Sequence, residues 1–355
     1  MNQHPKHALD RHTGLNYYQN SLNLIRLLAA LQVLYGHLYI HLQLKPLPII
    51  GNILSIFSGV PVFFFVSGYL IWSSIDRSKN IKEYLLKRVL RLYPELWCGV
   101  AISLISIIIL YDGVVFRDIA LFVITQSTFM QFWTPNSLRD FGCGTPNGAL
   151  WTICIIVQFY IVAWFIKKFI NKHKSIICHI SILLISILIS CLTPLTEKVF
   201  PTIICKLYRQ TFIPYLWLFL LGAFICEHFK QIVPLLKRFW YLAAILFFVV
   251  YYLKIDINAS YPVIRSILSC FFCIGFAYAF PRLQIKHDIS YGIYIYHMIV
   301  INICLELGFK GNWIVGAAVL LITVLMAILS YFTVGNYSKR KKSNLSKLIT
   351  AVWRC

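Results

Sequence analysis

The chain alternates long apolar runs with short polar segments along almost its whole length. A helix needs about 20 consecutive apolar residues to cross the hydrocarbon core of a bilayer, and these runs approach or reach that length. We therefore predict an all-α, polytopic membrane protein with about ten transmembrane helices. The predicted spans are residues 22–42, 52–73, 92–110, 149–166, 176–193, 210–226, 239–254, 261–280, 289–307 and 313–334.

One apolar segment, residues 118–133, is short and polar enough that its sequence does not show whether it crosses. If it stays on the outer side, 23 Lys and Arg residues face the cytoplasm and 8 face outside; if it crosses, the split becomes 14 and 17. The positive-inside rule favours the first arrangement. We therefore expect both termini in the cytoplasm and an outer re-entrant or interfacial segment. The following loop, residues 134–148, then becomes a candidate wall of a site, because non-helical backbone at that depth must be buried or line a cavity.

Composition supports a membrane protein and excludes other classes. The chain is 59% hydrophobic and 13% charged, with a mean hydropathy of +0.74, which leaves little room for a soluble domain. The net charge of +21 comes from short loops between apolar runs, and no basic groove with interleaved aromatic residues indicates a nucleic-acid partner. Residues 1–21 lack the apolar core of a signal peptide, so we expect the first span to be an uncleaved anchor. Cys270 and Cys273 have metal-like spacing but no second pair nearby, and we predict packing and no metal site.

The first span carries two residues that are costly inside a membrane, Arg26 and His37. Eleven helical residues end about 20° beyond three full turns and advance roughly 16 Å, so both side chains share one face. Each has a plain structural interpretation: the arginine snorkels to the headgroups, and the histidine bonds to another helix. Together on one face they favour a site that handles an anion and a proton.

A basic cluster of Lys87, Arg88 and Arg91 precedes the third span, with the two arginines three residues apart on one helix face. It is either an ordinary positive-inside anchor or a docking point for a phosphorylated cytosolic molecule, since arginine forks match phosphate oxygens. The preceding span, GVPVFFFVSGYLIW at residues 59–72, has the aromatic residues and small residues of a closely packed helix.

Five motifs, in order, resemble the acyltransferase-3 family of integral membrane acyltransferases, which includes bacterial O-acetyltransferases of surface polysaccharides. They are Arg26-x10-His37, GVPVFFFVSGYLI, the Arg88-x-x-Arg91 pair in LLKRVLRLYPELW, ALWTICIIVQFY at residues 149–160 and ISYGIYIYHMIVI at residues 289–301. The resemblance implies an acetyl-CoA co-substrate bound from the cytoplasm, with no permanently bound cofactor. Carried over to this chain, it makes Arg26, Arg88 and Arg91 donor-binding residues and His37 essential. A histidine can serve as the general base, because its pKa lies near the operating pH.

On this resemblance we expect an O-acetyltransferase of the bacterial inner (cytoplasmic) membrane. Its acceptor would be a sugar hydroxyl of a lipid-linked or surface polysaccharide, such as the O-antigen of lipopolysaccharide. The domain division would be a cytoplasmic segment at residues 1–21, the membrane acyltransferase domain at 22–334 and a basic cytoplasmic tail at 335–355. The alternative from another class is a glycan exporter with the same fold and no acyl transfer.

The sequence departs from the family pattern where an acidic partner for His37 would be expected. The family often has aspartate at the position of Asn23 and glutamate at that of Ile156, while Trp151, Gln158 and Tyr160 of the fourth-span motif remain. The ring could be oriented by a backbone carbonyl or a hydroxyl, or an acid could come from elsewhere, such as Glu95 or Asp140. Candidate supporting residues are therefore Asn23, Trp151, Gln158, Tyr160 and Glu95. His297 lies in a later span, where an interhelical hydrogen bond is the plain interpretation.

Overall fold

A computed structural model describes residues 16–173 and 175–337, and all regular secondary structure in these two ranges is helical. Short 3₁₀ turns flank several helices, and a π-helical turn follows the last one. The α-helices are α1 Leu22–His41, α2 Pro48–Ile56, α3 Gly59–Asp76, α4 Ile81–Leu110, α5 Phe116–Ser127, α6 Trp151–His173, α7 Ile176–Cys191, α8 Thr193–Val199, α9 Thr202–Tyr208, α10 Leu216–Glu227, α11 Phe229–Arg238, α12 Trp240–Leu253, α13 Val263–Ala279, α14 Ser290–Glu306 and α15 Trp313–Ser330.

Within the described residues, six helices are long and apolar enough to cross a bilayer, and eight if two bent helix pairs each count as one span. The bent pairs are α9 with α10, at 56°, and α11 with α12, at 71°. The described part of the chain is thus all-helical, and the protein is a multi-pass membrane protein, but the predicted count of about ten spans is not confirmed. The other two predicted spans correspond to α13 and α14, which are shorter, at 17 residues each.

Two predicted segment boundaries change for local reasons. The predicted span at residues 52–73 is two helices, because the backbone is extended at Ser58 (φ −111°, ψ 122°) between the end of α2 and the start of α3. In the segment at residues 118–133, helix α5 ends at Ser127 and has only 12 residues. At 1.5 Å per residue it is about 18 Å long, short of the roughly 30 Å hydrocarbon core. This length agrees with the prediction that the segment does not cross.

The described residues form two compact units, and the first consists of those that lie within Met1–Ala29, Ile56–Ile81 and Ile155–Lys286. Its centre is the contact between α3 and α10, around which α7 and α13 pack. A Cβ atom added at Gly68 would collide with the carbonyl oxygen of Phe219, and one added at Gly222 would collide with the carbonyl oxygen of Phe65. The absence of side chains at both glycines lets the two backbones touch, as in other membrane helix pairs. The predicted close packing of the aromatic span is confirmed.

A buried cation also holds this first unit together. Lys167 of α6 is 2% exposed, and its Nζ lies 2.6 Å from Asp76 Oδ2 and 3.0 Å from the Trp72 carbonyl oxygen. Its Nζ is also 3.6 Å from Glu227 Oε2, which accepts a 2.7 Å hydrogen bond from Trp72 Nε1. The ends of α3, α6 and α10 are therefore joined by one charged cluster, which leaves the buried ammonium well compensated.

The second unit consists of the described residues that lie within Ala30–Ser55, Lys82–Cys154 and His287–Cys355, and α14 is its buried centre. Helix α14 packs along α15. Helix α4 also approaches it closely, because Gly99 leaves room for the side chain of Ile295. Burial along α14 is nearly continuous, and it includes the polar residues Ser290, His297 and Asn302, each 0% exposed. Polar groups in such a place need partners within the protein.

We predict that Gly68→Ala prevents tight packing of α3 against α10, whereas Gly36→Ala in α1 is tolerated. Both are helical glycines, but only at Gly68 does the added methyl meet backbone; a Cβ at Gly36 has nothing within 4 Å. Thermal unfolding in detergent should show a lower midpoint for Gly68→Ala and an unchanged or higher one for Gly36→Ala. Equal midpoints for the two variants would contradict the packing analysis.

Candidate functional site

Two histidines of the second unit form a direct pair. Nδ1 of His37, on α1, lies 2.7 Å from Nε2 of His297, on α14, and the two rings are nearly parallel, at 15°, with centroids 5.0 Å apart. The other nitrogen of His297, Nδ1, lies 3.0 Å from the carbonyl oxygen of Ile293, one turn earlier in α14. A chain of hydrogen bonds therefore runs from a backbone carbonyl through His297 to His37.

The carbonyl group of Ile293 determines which atoms donate and which accept in this series of hydrogen bonds. The Ile293 carbonyl can only accept, so Nδ1 of His297 carries a hydrogen and donates it. In a neutral ring, Nε2 of His297 is then the acceptor, and Nδ1 of His37 donates to it. This tautomer leaves a lone pair on Nε2 of His37, the atom that can take a proton. If it does, the Nδ1–H of His37 still donates to His297, so the pair survives a change of charge.

The surroundings of the pair are aromatic and ordered. The ring of His41, one turn after His37 in α1, lies with its centroid 5.6 Å from that of His37. The ring of Tyr294 lies 5.8 Å from that of His297. The Tyr294 hydroxyl group donates to the carbonyl oxygen of Ala149 at 2.8 Å, and its oxygen lies 2.7 Å from the hydroxyl oxygen of Thr152. The N-terminal turn of α6 is thereby tied to the turn of α14 that carries His297.

The paired arginines lie on α4 of the same unit, near the start of α14. Nη2 of Arg91 lies 3.2 Å from Oδ2 of Asp288, while Oδ1 of Asp288 accepts from the hydroxyl and the backbone N–H of Ser290 at 2.5 and 3.2 Å. The guanidinium of Arg88 lies 5.9 Å from the ring centroid of Tyr84. Arg91 remains 38% exposed, so its guanidinium can still reach a ligand.

Arg26 and its neighbour Asn23 belong to the first unit, on the N-terminal part of α1. One uninterrupted helix carries both Arg26 and His37, as predicted from the sequence. Asn23 donates a 2.9 Å hydrogen bond from Nδ2 to the carbonyl oxygen of Ile285, so it fastens α1 to the segment after α13.

The remaining candidate supporting residues have structural contacts. Gln158, in the first unit, donates to the Gln210 carbonyl at 2.8 Å and accepts from the Phe212 N–H at 2.9 Å, which fixes the turn before α10. Glu95, in the second unit, accepts a 3.0 Å hydrogen bond from the hydroxyl of Ser330. Trp151 is half-buried at the start of α6, and Tyr160 is buried further along it.

The partner of His37 is therefore different from the ones considered from the sequence. Its Nδ1 faces the ring of His297 and not a carboxylate, a hydroxyl or a backbone carbonyl. Of the two acids considered, Glu95 accepts from Ser330 and Asp140 is exposed. The interhelical hydrogen bond expected for His297 does form, and it ends on the histidine that the sequence singled out. The sequence did contain an indication of this pairing, because both histidines lie in apolar spans and ionisable residues in such spans commonly pair with each other.

The sequence made the loop at residues 134–148 a candidate wall of a site but did not indicate what holds it. Helix α14 holds the C-terminal half of this loop. Oδ1 of Asn302 accepts from the Cys143 N–H at 3.0 Å, and its Nδ2 donates to the carbonyls of Thr145 and Pro146 at 2.9 and 2.8 Å. Glu306 accepts from the N–H of Gly142, whose φ of +59° suits glycine.

The N-terminal half of the loop is held by α5 and by the segment before it. Asp118 accepts from the backbone N–H and the hydroxyl of Ser137 at 3.0 and 2.7 Å, and Tyr111 donates to the Ser137 carbonyl at 2.9 Å. The two hydrogen bonds from Ser137 lower the pKa of Asp118 below its ordinary value. This anchor is thus present at neutral pH and is lost only as the pH falls through that lowered pKa.

Comparisons with known proteins identify the family of this chain. A family model described as an acyltransferase domain, of the acyltransferase-3 type, matches residues 19–332. Nodulation protein 10 of Rhizobium leguminosarum bv. viciae is 24% identical over 356 residues, which cover 92% of this chain and 95% of that protein. An O-acetyl transferase of Shigella phage Sf6 is 26% identical over 321 residues, or 85% of this chain and 91% of that protein.

A peptidoglycan O-acetyltransferase is similar over a shorter part of the chain. Peptidoglycan O-acetyltransferase OatA of Listeria monocytogenes serovar 1/2a is 26% identical over 131 residues, which cover 34% of this chain and 21% of that protein. No solved structure is significantly similar to the chain. The family match spans almost every helix described above, including the histidine pair and the paired arginines. The chain is therefore an acyltransferase and belongs to the acyltransferase-3 family.

Proposed function

We propose that this protein is an O-acetyltransferase that moves an acetyl group from cytosolic acetyl-CoA to a sugar hydroxyl. The acceptor would be a lipid-linked or surface polysaccharide, such as O-antigen, met at the bacterial inner membrane. The observation that carries the proposal is the hydrogen-bonded chain from Ile293 through His297 to His37, which leaves Nε2 of His37 as a base. The names of two relatives, an O-acetyl transferase and a peptidoglycan O-acetyltransferase, support the ester-forming chemistry.

The proposed step is a direct transfer with His37 as general base. Nε2 of His37 takes the proton of the acceptor hydroxyl as the oxygen attacks the thioester carbonyl carbon. A C–O bond forms, the C–S bond breaks, and the electron pair leaves on the sulfur of CoA. The protonated ring then gives its proton to that thiolate. The products are an O-acetyl ester and free CoA, and His37 returns to its neutral form.

In this proposal His297 is a positioning residue. It fixes the tautomer and the plane of the His37 ring, the task that a carboxylate performs in many histidine-dependent enzymes. An uncharged partner has a further consequence in an apolar surrounding. The pair carries no net charge before the proton arrives, so no ion has to be kept buried in the resting enzyme.

Donor binding is assigned to Arg88 and Arg91, with Arg26 as a further cation on α1. CoA carries several phosphate charges, and guanidinium groups bind phosphate oxygens through two parallel hydrogen bonds. The ion pair of Arg91 with Asp288 supports this assignment, because it keeps the guanidinium oriented and partly exposed beside the N-terminus of α14. Helix α14 begins two residues after Asp288, and His297 lies roughly 10 Å along it, counted as seven residues from Ser290.

We predict that His37→Gln and His37→Ala each reduce glycan acetylation by about 10²–10⁴-fold, the usual contribution of a positioned base. Acetyl-CoA affinity should be unchanged, because the ring does not hold the donor. The measurement is the O-acetyl content of purified polysaccharide by NMR, together with equilibrium binding of acetyl-CoA. As a comparison, His297→Gln offers an acceptor oxygen to Nδ1 of His37 and should retain more activity than His297→Ala. Near wild-type acetylation by His37→Gln would show that the base lies elsewhere.

We predict that Arg88→Ala and Arg91→Ala weaken acetyl-CoA binding by at least about tenfold, the loss of one charge-assisted contact. Replacement by lysine should restore binding only partly, since a point charge lacks the two-pronged fork. Lys87→Ala is the matched control, because Lys87 lies in the same basic cluster but is paired with Glu83 at 2.6 Å. Equal effects of Lys87→Ala and the two arginine variants would indicate a general membrane anchor.

The orientation in the membrane is tested separately. We predict that a cysteine at Asn136 reacts with a membrane-impermeant thiol reagent added from outside, while one at Asn171 reacts only after the membrane is opened. Both positions are exposed, and residues 118–133 between the third and fourth predicted spans decide their sides. The native thiols accessible to the reagent are replaced first. Labelling of Asn171→Cys from outside together with protection of Asn136→Cys would overturn the proposed topology.

A further inference from the structure

Three aromatic side chains cluster where α15 ends and just before α14 begins. The cluster, here called the aromatic platform, consists of His287, Tyr331 and Phe332. The ring centroid of His287 lies 5.3 Å from that of Tyr331 and 5.4 Å from that of Phe332. His287 is exposed and Phe332 is 53% exposed, whereas Tyr331 is buried beneath them at 9%. Two of the three rings therefore have accessible surface.

The backbone of the platform is unusual, because a π-helical turn at Tyr331–Gly335 directly follows α15. Such turns are rare and are frequently found at functional sites. The hydroxyl oxygen of Tyr331 lies 3.2 Å from Nδ1 of His287, which joins the turn to the segment before α14. The three rings meet at angles of 55° to 86°, so none of these pairs is a parallel stack. A flat ring of another molecule can still stack on the exposed surface of His287 or Phe332.

Two separate contacts place the platform beside Arg91 of α4. The residue after His287 is Asp288, whose Oδ2 lies 3.2 Å from Nη2 of Arg91. Ser330, which precedes the π-helical turn, donates a 3.0 Å hydrogen bond to Glu95. Glu95 follows Arg91 by one turn on the same face of α4. The exposed rings and the partly exposed guanidinium of Arg91 therefore lie at one end of the second unit.

Exposed aromatic rings next to an exposed guanidinium match the chemistry of an adenine nucleotide. Arginine binds phosphate oxygens, and a purine base stacks on aromatic side chains. In CoA a single ribose separates the adenine base from the nearest phosphates, so the groups that bind base and phosphates must be close together. The predicted topology places this end of α4, α14 and α15 on the cytoplasmic side, where CoA is available.

We propose that the aromatic platform binds the adenine base of acetyl-CoA, with His287 and Phe332 in contact with the base and Arg91 on the adjacent phosphates. The assignment rests on the proposed function, because it takes acetyl-CoA as the donor. It extends the donor site from the arginines of α4 to the end of α15. If Phe332 were only an aromatic anchor at the membrane interface, ligands with and without the base would respond alike to its replacement.

The experiment compares His287→Ala and Phe332→Leu with Phe309→Leu in the full-length protein in detergent. Phe309 is a matched control, because it is also 53% exposed but follows the opposite end of α14. Binding of radiolabelled acetyl-CoA is measured first, and then its displacement by ADP or by inorganic diphosphate. ADP carries the base and two phosphates, whereas diphosphate carries the phosphates alone. The midpoint of thermal unfolding shows that each variant is folded.

His287→Ala and Phe332→Leu should each weaken the binding of acetyl-CoA and of ADP by about fivefold or more, the usual effect of losing a stacked base. The affinity for diphosphate should stay within twofold, because Arg91 is unchanged in both variants. Phe309→Leu should alter none of the three affinities.

Two results would overturn the assignment while the proposed function stands. One is an unchanged affinity for ADP in the two folded platform variants. The other is an equal loss for ADP and diphosphate, which would show an indirect effect on Arg91 instead of a contact with the base. If the wild-type protein binds no acetyl-CoA at all, the proposed donor itself is wrong and the assignment falls with it.

Discussion

The hydrogen bond between His37 and His297 is the interaction on which the organisation of the second unit depends. Inside an apolar region, each ring nitrogen needs a partner or a function. The carbonyl of Ile293 satisfies one nitrogen, the histidines satisfy each other, and one lone pair is left over. The remaining lone pair, on Nε2 of His37, can accept a proton without breaking either of these hydrogen bonds.

Helix α14 connects this hydrogen bond to two other parts of the second unit. Its start is joined to Arg91 through Asp288, its middle carries His297, and its end holds the loop at residues 142–147 through Asn302. The nearly complete burial of α14 explains why these groups keep their positions: a packed helix has few alternative rotamers and little freedom to shift. Arg91, the histidine pair and the loop at residues 142–147 are thus attached in order along one buried helix.

The first unit shows a different means of stabilisation. Gly68 and Gly222 bring α3 and α10 into backbone contact, and the Lys167 cluster joins the ends of α3, α6 and α10. Close packing supplies van der Waals energy, because helices that associate within lipid gain little from the hydrophobic effect. The ion cluster adds specificity, since a buried ammonium tolerates only the arrangement that brings its carboxylates near.

The sequence by itself determined the helical class, the membrane location, the close packing of the aromatic span and the shared helix of Arg26 and His37, because hydropathy, composition and spacing within one helix are local properties. It indicated the family through the resemblance of five motifs in order along the chain. It did not determine the number of spans, since bends such as that between α9 and α10 depend on packing. Nor did it identify His297 as the partner of His37, or Asn302 as the anchor of the loop at residues 142–147. Those pairs are separated by more than 150 residues. Only the tertiary structure brings them together, because many distant polar residues could have satisfied the same hydrogen-bonding need.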